Sequence, residues 1–241
     1  MGNFHSSERQ DTVQGDTSAQ SKYNRQSGAS LQNRMLEYLI SNYADDNDTF
    51  TYFGLLSGDV SISGKPKSMA MIQVRSEKYP DAEVFVYAQV VDDEVVFSDN
   101  YMYYKYEKQI QAFISENLNS VFYCEYRLFI CEPGLSHTRA LPSSTSFEDF
   151  IFYETTLIKF TVITAPGYDA GERDFFQQKL NNAFKGRARA VIANIRFPDN
   201  TVDYNWVMST ANLYDIRLGK QAMYLSAFGL GREDVSFEWW R

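Results

Sequence analysis

The spacing of apolar positions between Ser68 and Leu118 predicts the compact unit from which the rest of the chain is read. Met69–Val74 is an apolar run that predicts a strand, Tyr79-Pro80-Asp81 a turn, and Glu83–Val91 a second strand. In that second strand Val84, Val86, Ala88 and Val90 fall on one face, and Phe85, Tyr87, Gln89 and Val91 on the other. Both faces are largely apolar, which predicts a central strand covered on two sides. Asp92-Asp93 predicts a hairpin turn into a third strand, Val95–Ser98. Ser98-Asp99-Asn100 then offers side-chain oxygens to the first free N–H groups of a helix over Tyr101–Leu118. Its apolar stripe runs through Tyr106, Ile110, Phe113 and Ile114 and on to Val121 and Phe122, with Lys105, Glu107, Lys108 and Gln111 opposite.

The same periodicities place the other elements. Leu31–Tyr43 predicts an amphipathic helix with Leu31, Met35, Leu36, Leu39, Ile40 and Tyr43 in its stripe, and Phe50–Leu56 a strand. A run with both cysteines, Tyr123–Cys131, predicts a further strand. Glu132-Pro133-Gly134 and the serine-rich stretch after it break the pattern. Beyond the break come a short helix or extended segment at Phe147–Tyr153 and a buried strand at Thr156–Ala165. A helix follows at Glu172–Phe184, its face made by Phe175, Phe176, Leu180, Ala183 and Phe184, with Gly186 past its last turn. Arg187–Phe197 alternates cleanly, and Val202–Met208 is expected to return beside it as a hairpin. Asn212–Leu218 is left unassigned, and Ala222–Phe228 and Val235–Trp240 predict two closing strands.

These elements predict an α+β fold of mainly antiparallel sheets flanked by a few amphipathic helices, in two subdomains. The expected division is a leader or tether over 1–30, an α+β unit over 31–133, a linker over 134–146 and a second α+β unit over 147–241. Residues 1–30 are polar and aperiodic and cannot offset their ordering entropy by burial.

Charge narrows the partners. The net charge of −8 disfavours phosphate backbones, so no nucleic-acid role is expected. The basic run Lys185-Gly-Arg187-Ala-Arg189 sits where a helix gives way to a strand, and a helix end favours cations. No apolar run is long enough to span a bilayer. The start supports two readings: Met1-Gly2-Asn3-Phe4-His5-Ser6 fits the short myristoylation pattern, or the native start lies upstream of Met1.

Candidate chemistry is sparse. Cys124 and Cys131 lie about 23 Å apart along one strand, far beyond the ~7 Å a disulfide tolerates, so two reduced and mostly buried thiols are expected. The two histidines, His5 and His137, supply a zinc site or a histidine triad poorly. Asp45-Asp46-Asn47-Asp48 opens like a calcium loop but lacks its glycine and later glutamate, which predicts a solvated loop. Asn47-Asp48-Thr49 also matches a glycosylation acceptor, meaningful only in a eukaryotic secretory protein. Gly58–Pro66 fails as a phosphate loop, with one residue too many between its glycines and Pro66 where a magnesium-binding hydroxyl belongs. The carboxylate clusters Asp92-Asp93-Glu94, Glu148-Asp149 and Glu172/Asp174 sit at turns or helix starts, where acids are favoured without catalysis. Trp239-Trp240-Arg241 is expected to seal the core. No catalytic, cofactor or metal residue is assigned from sequence.

One stretch carries a resemblance. Val74-Arg-Ser-Glu-Lys-Tyr-Pro80, Glu83-Val-Phe-Val-Tyr87, Ser98-Asp-Asn-Tyr-Met102 and Lys105-Tyr106 resemble uncharacterised surface or lipid-anchored proteins of Firmicutes. The resemblance implies an α+β domain held outside the membrane behind a polar leader, and it brings no catalytic residue. This sequence lacks the family's signal and lipid-bearing cysteine, so the envelope location goes with an upstream start. The expected function is a non-enzymatic, envelope-associated binding or assembly module with protein partners and no cofactor. Two alternatives stand beside it: a cytoplasmic enzyme or small-molecule binder with a pocket between the halves, and a subunit of a transfer or secretion complex. Oligomeric state stays open.

Overall fold

The computed structural model describes residues 31–57, 66, 69–122, 124–130, 141–153, 156–166, 172–186 and 191–240. Helix α1 (residues 31–42) leads into a four-stranded antiparallel meander. Its strands are β1 (Phe50–Ser57), β2 (Ala70–Ser76), β3 (Val84–Val91) and β4 (Glu94–Asp99), paired in chain order. Two helices follow, α2 (Tyr101–Lys105) and α3 (Glu107–Asn119). The second sheet holds β5 (Tyr126–Ile130), β6 (Ile158–Thr164), β7 (Val191–Phe197), β8 (Met223–Phe228) and β9 (Ser236–Trp240), again in chain order. Helix α4 (Phe147–Ile151) precedes β6, α5 (Arg173–Phe184) connects β6 to β7, and α6 (Tyr204–Ser209) lies between β7 and β8. The expected α+β class with mainly antiparallel sheets is what forms. One pair, β6 with β7, is parallel, as a helical crossover requires.

The central strand of the first sheet behaves largely as its sequence predicts. Val84, Val86 and Ala88 are buried on the core face. On the other face Tyr87 is buried and Phe85 and Gln89 are half-buried; Val90, on the face of Val84 and Val86, is exposed at the hairpin end. The Asp92-Asp93 turn forms without glycine: both residues take positive φ, 51° and 64°, a conformation that aspartate tolerates better than most side chains.

Four expectations change. The single helix over Tyr101–Leu118 is two, broken at Tyr106. Tyr106 points its ring at Phe147 and Phe150 and donates its hydroxyl to the Thr145 carbonyl at 2.5 Å, so a tertiary anchor sits where the helical run breaks. Val202–Met208 is not a returning strand. Asp203 accepts a hydrogen bond from the Asn205 amide as an N-cap, the chain turns helical, and Val207 is buried on the second sheet. The partner of β7 is β8 instead. Phe175, placed on the buried face of α5, is 61% exposed. Cys124 is free, but the burial expected of it fails, since it is exposed before β5 begins; Cys131 lies outside the described residues.

The core faces of both sheets, together with side chains from α1 to α5, form one buried cluster. Its ring contacts step from one half of the chain to the other: Tyr103 on Phe150, Phe113 on Phe184, Phe184 on Phe160. A smaller cluster of Ile163, Val207, Ile216, Leu218 and Ala222 covers part of the outer face of the second sheet. Trp239 seals the main core by stacking on Phe197, whereas Trp240 stacks on Tyr224 outside and is 45% exposed.

Candidate functional site

Two features stand out: a knot of buried carboxylates and tyrosines, and the outer strand of the first sheet.

The knot forms where β4 runs into α2. Asp99, the last residue of β4, is buried. Its Oδ2 accepts from Tyr38 Oη at 2.5 Å, and its Oδ1 from Tyr43 Oη at 2.9 Å and from the Tyr101 amide at 2.8 Å. Of the three expected helix-capping residues, Asp99 therefore does supply an oxygen to the first N–H. Asn100 instead ties β3 down, accepting from the Phe85 amide and donating to the Glu83 carbonyl. Burial pushes the Asp99 carboxyl above its ordinary range, and the three donors recover only part of that cost. Burial and the neighbouring Asp99 charge raise the Tyr38 and Tyr43 hydroxyls, which stay protonated as donors.

A step away, the Asp45–Asp48 stretch is only half the solvated loop its sequence predicts: Asp45 and Asn47 are exposed, but Asp46 and Asp48 are half-buried and tied in. Asp48 accepts four hydrogen bonds: from Ser76 Oγ at 2.5 Å, Tyr101 Oη at 2.9 Å, the Lys78 amide at 2.9 Å and the Thr49 amide at 2.8 Å. Partial burial works to raise this carboxyl, but those hydrogen bonds outweigh it and hold it below its ordinary value. Asp46 pairs with Lys105 Nζ at 2.8 Å, and Lys105 also reaches the Ser143 carbonyl at 2.9 Å. Chemically, Asp48 has used the roughly four acceptor positions a carboxylate offers, and Asp99 has used three. The knot ties α1, β2, β4, α2 and the segment before α4 together. Sequence reasoning missed it because its side-chain partners lie 28 to 61 residues apart, from Ser76 and Asp48 to Tyr38 and Asp99.

The second feature is an edge. Among the described residues the two sheets end in four outer strands: β1 and β4 in one, β5 and β9 in the other. Strand β4 carries Glu94 and Asp99, β5 carries Arg127, and β9 carries Glu238. Strand β1, Phe-Thr-Tyr-Phe-Gly-Leu-Leu-Ser, carries no charge. Charges on an edge strand oppose unwanted pairing, and β1 lacks that safeguard. Its large side chains are open to solvent: Tyr52 at 40%, Phe53 at 50% and Leu55 at 47%. Register shifts on either side of Gly54 and Leu55 give the strand its irregular pairing with β2, and Arg75 lies over the Phe53 ring at 4.1 Å.

The remaining sequence candidates scatter. Asp149 lies in the first turn of α4, its amide capped by Ser146 Oγ, and Asp174 lies in the first turn of α5. Asp92 and Asp93 form the β3–β4 turn. His5, His137, Gly58–Lys65, Arg187 and Arg189 lie outside the described residues. Among the described residues no helix is long and apolar enough to cross a membrane.

Neither a protein-family model nor a curated protein matches the chain. Among solved structures it is similar to a crystal structure of a DUF5037 family protein from Ruminococcus gnavus ATCC 29149, a Firmicutes bacterium. That likeness covers 85% of this chain and 94% of the other, at 12% identity and a TM-score of 0.38. A superposition at that identity and score carries no residue correspondence.

Proposed function

We propose that the protein is a non-enzymatic binding or assembly module that engages a protein partner along the β1 edge. The observation that carries this reading is the uncharged, aromatic, solvent-exposed edge strand. A free strand edge is a row of unpaired backbone donors and acceptors, and alternate side chains supply selectivity when another strand joins it. Placement at the cell envelope is part of the same proposal and is supported by the resemblance of Val74–Tyr106 to envelope proteins. The pocket alternative draws no support from Asp48 and Asp99, whose oxygens are engaged internally.

The test is site-specific photocrosslinking in the organism that encodes the chain. A photoreactive residue replaces Tyr52 or Leu55 in turn, and Tyr214, 90% exposed and far from β1 in sequence, serves as control. Crosslinks specific to the β1 positions are expected, in the envelope fraction, to a protein that when purified binds the wild-type chain but not Leu55→Lys. Equal crosslinking at Tyr214, or none at β1, overturns the edge; recovery of the chain in the cytosolic fraction alone overturns the envelope placement.

A further inference from the structure

We infer that the occupant of the β1 edge is a second copy of this chain, the two β1 strands pairing antiparallel about a twofold axis. This rests on the reading of β1 as the binding edge. Two four-stranded sheets then become one continuous sheet of eight strands.

Charge selects this edge for self-pairing. A chain of net charge −8 repels its own copies, so a homotypic contact must avoid setting like charges together. A twofold sets each strand against itself. On β9 that brings Glu238, the central residue, opposite its own counterpart; on β5 it brings the two Arg127 side chains to adjoining positions. Strand β4 would bring up the exposed Glu94 at one end, while Asp99 at the other is buried in the knot. Of the four edges among the described residues, only β1 carries no charged side chain to set against a copy of itself.

Side-chain geometry selects the register. Tyr52 pairs with Val74 of β2 and Leu55 with Ile72, and both Val74 and Ile72 point into the core, so Tyr52 and Leu55 share the core side of the sheet. Two residues three apart share a face only because the strand bulges between Tyr52 and Gly54. A twofold centred between Phe53 and Gly54 sets Tyr52 of one copy against Leu55 of the other, twice, and covers all four half-exposed side chains. It also sets Phe53 against Gly54 of the second copy. Nothing lies within 4 Å of where a Cβ on Gly54 would be, which leaves room for that ring to cover the bare backbone. An aromatic laid over a cross-strand glycine is a recognised way of pinning a register.

Sedimentation of the full chain over a concentration series tests the pairing. A monomer–dimer equilibrium is expected, with association weakened at least about tenfold by Leu55→Lys and unchanged by Tyr214→Lys, while circular dichroism reports an intact fold in both. The register is tested by a Tyr52→Cys/Leu55→Cys variant in a Cys124→Ser/Cys131→Ser background, since directly opposed strand residues lie within disulfide reach. Oxidation is expected to give a covalent dimer. A wild-type chain that stays monomeric up to about 0.5 mM, beyond the range of even a small specific interface, overturns self-pairing, as does a dimer indifferent to Leu55→Lys. A monomer whose β1 positions still crosslink another protein in cells overturns the second copy and leaves the binding edge standing. A monomer without such crosslinks overturns both.

Discussion

Asp99 and Asp48 lie in one network yet answer pH in opposite directions. The Asp99 carboxyl is raised above its ordinary value of 3.8, so the folded chain holds that proton more tightly than the unfolded chain does. Its contribution is largest below the ordinary value and is lost as pH rises through the raised folded value. Asp48 is lowered from the same 3.8, so its contribution is present above that value and is lost as pH falls through the lowered one. Replacing Asp99 by Asn keeps the shape and removes the buried charge. Unfolding free energies measured by denaturant at pH 5 and pH 8 are expected to decline less with pH in Asp99→Asn than in wild type; equal declines would show that Asp99 is already ionised in the folded chain at pH 5. Asp99→Ala is a different experiment, because it leaves the hydroxyls of Tyr38 and Tyr43 and the Tyr101 amide without their acceptor. A loss of about 3–5 kcal/mol is expected, the scale for orphaning a buried network.

At the scale of elements, the C-terminal end of α5 is fixed by two glycines that do different work. Gly186, just past the helix, has φ +65° and open space where a Cβ would go. Gly231 has φ +81°, and a Cβ there would lie 2.1 Å from the Phe184 carbonyl oxygen, while its amide donates to Asn181 Oδ1 at 2.7 Å. Gly186→Ala therefore costs only the left-handed conformation, about 1–2 kcal/mol. Gly231→Ala adds a backbone collision that forces the turn off the helix end. Thermal melts of the two variants are expected to show the larger fall for Gly231→Ala, and equal falls would mean that the turn yields freely. The first of these glycines was legible in the sequence as a helix stop; the second was not, because its demand comes from a helix some 50 residues away. The same division runs through the fold. Elements set by their own periodicity, such as β3, β7 and α1, stand close to where the alternation puts them. Those decided by tertiary partners do not: Tyr106 ends α2 by reaching α4, and Val207 turns a string of β-formers into a helix by docking on the sheet. The knot around Asp99 was illegible for the same reason, although its capping oxygen was visible in Ser98-Asp99-Asn100. The edge was half legible, since an uncharged Phe50–Ser57 can be read directly but its place at the rim of a sheet cannot.

For the whole molecule, the question is whether the two sheets unfold together. The chain sets the helices of its first half against those of its second. Tyr103 Oη donates to the Leu157 carbonyl at 3.0 Å and accepts from the Leu157 amide at 3.1 Å, fastening α2 to the entrance of β6. Lys179 of α5 donates to the Val121 carbonyl at 2.8 Å, just past α3. Between these ties sits Phe150, 1% exposed, wedged edge-on against Tyr103 and tilted against Tyr106. With the main buried cluster running through both sheets, opening one half exposes apolar surface of the other, which is the condition for a single cooperative transition. Phe150→Ala separates the possibilities, because it removes a ring at the junction without touching either sheet. Its cost is expected at about 3–5 kcal/mol. Tryptophan fluorescence alone cannot show where that cost falls, since Trp206, Trp239 and Trp240 all lie in the second half. Amide hydrogen exchange can. In a molecule with one shared core, the slowest amides of β3 and of β7 lose protection together and by the same amount in Phe150→Ala. Loss confined to β7 would mean that the four-stranded sheet, with the β1 edge it carries, holds its fold without the other half.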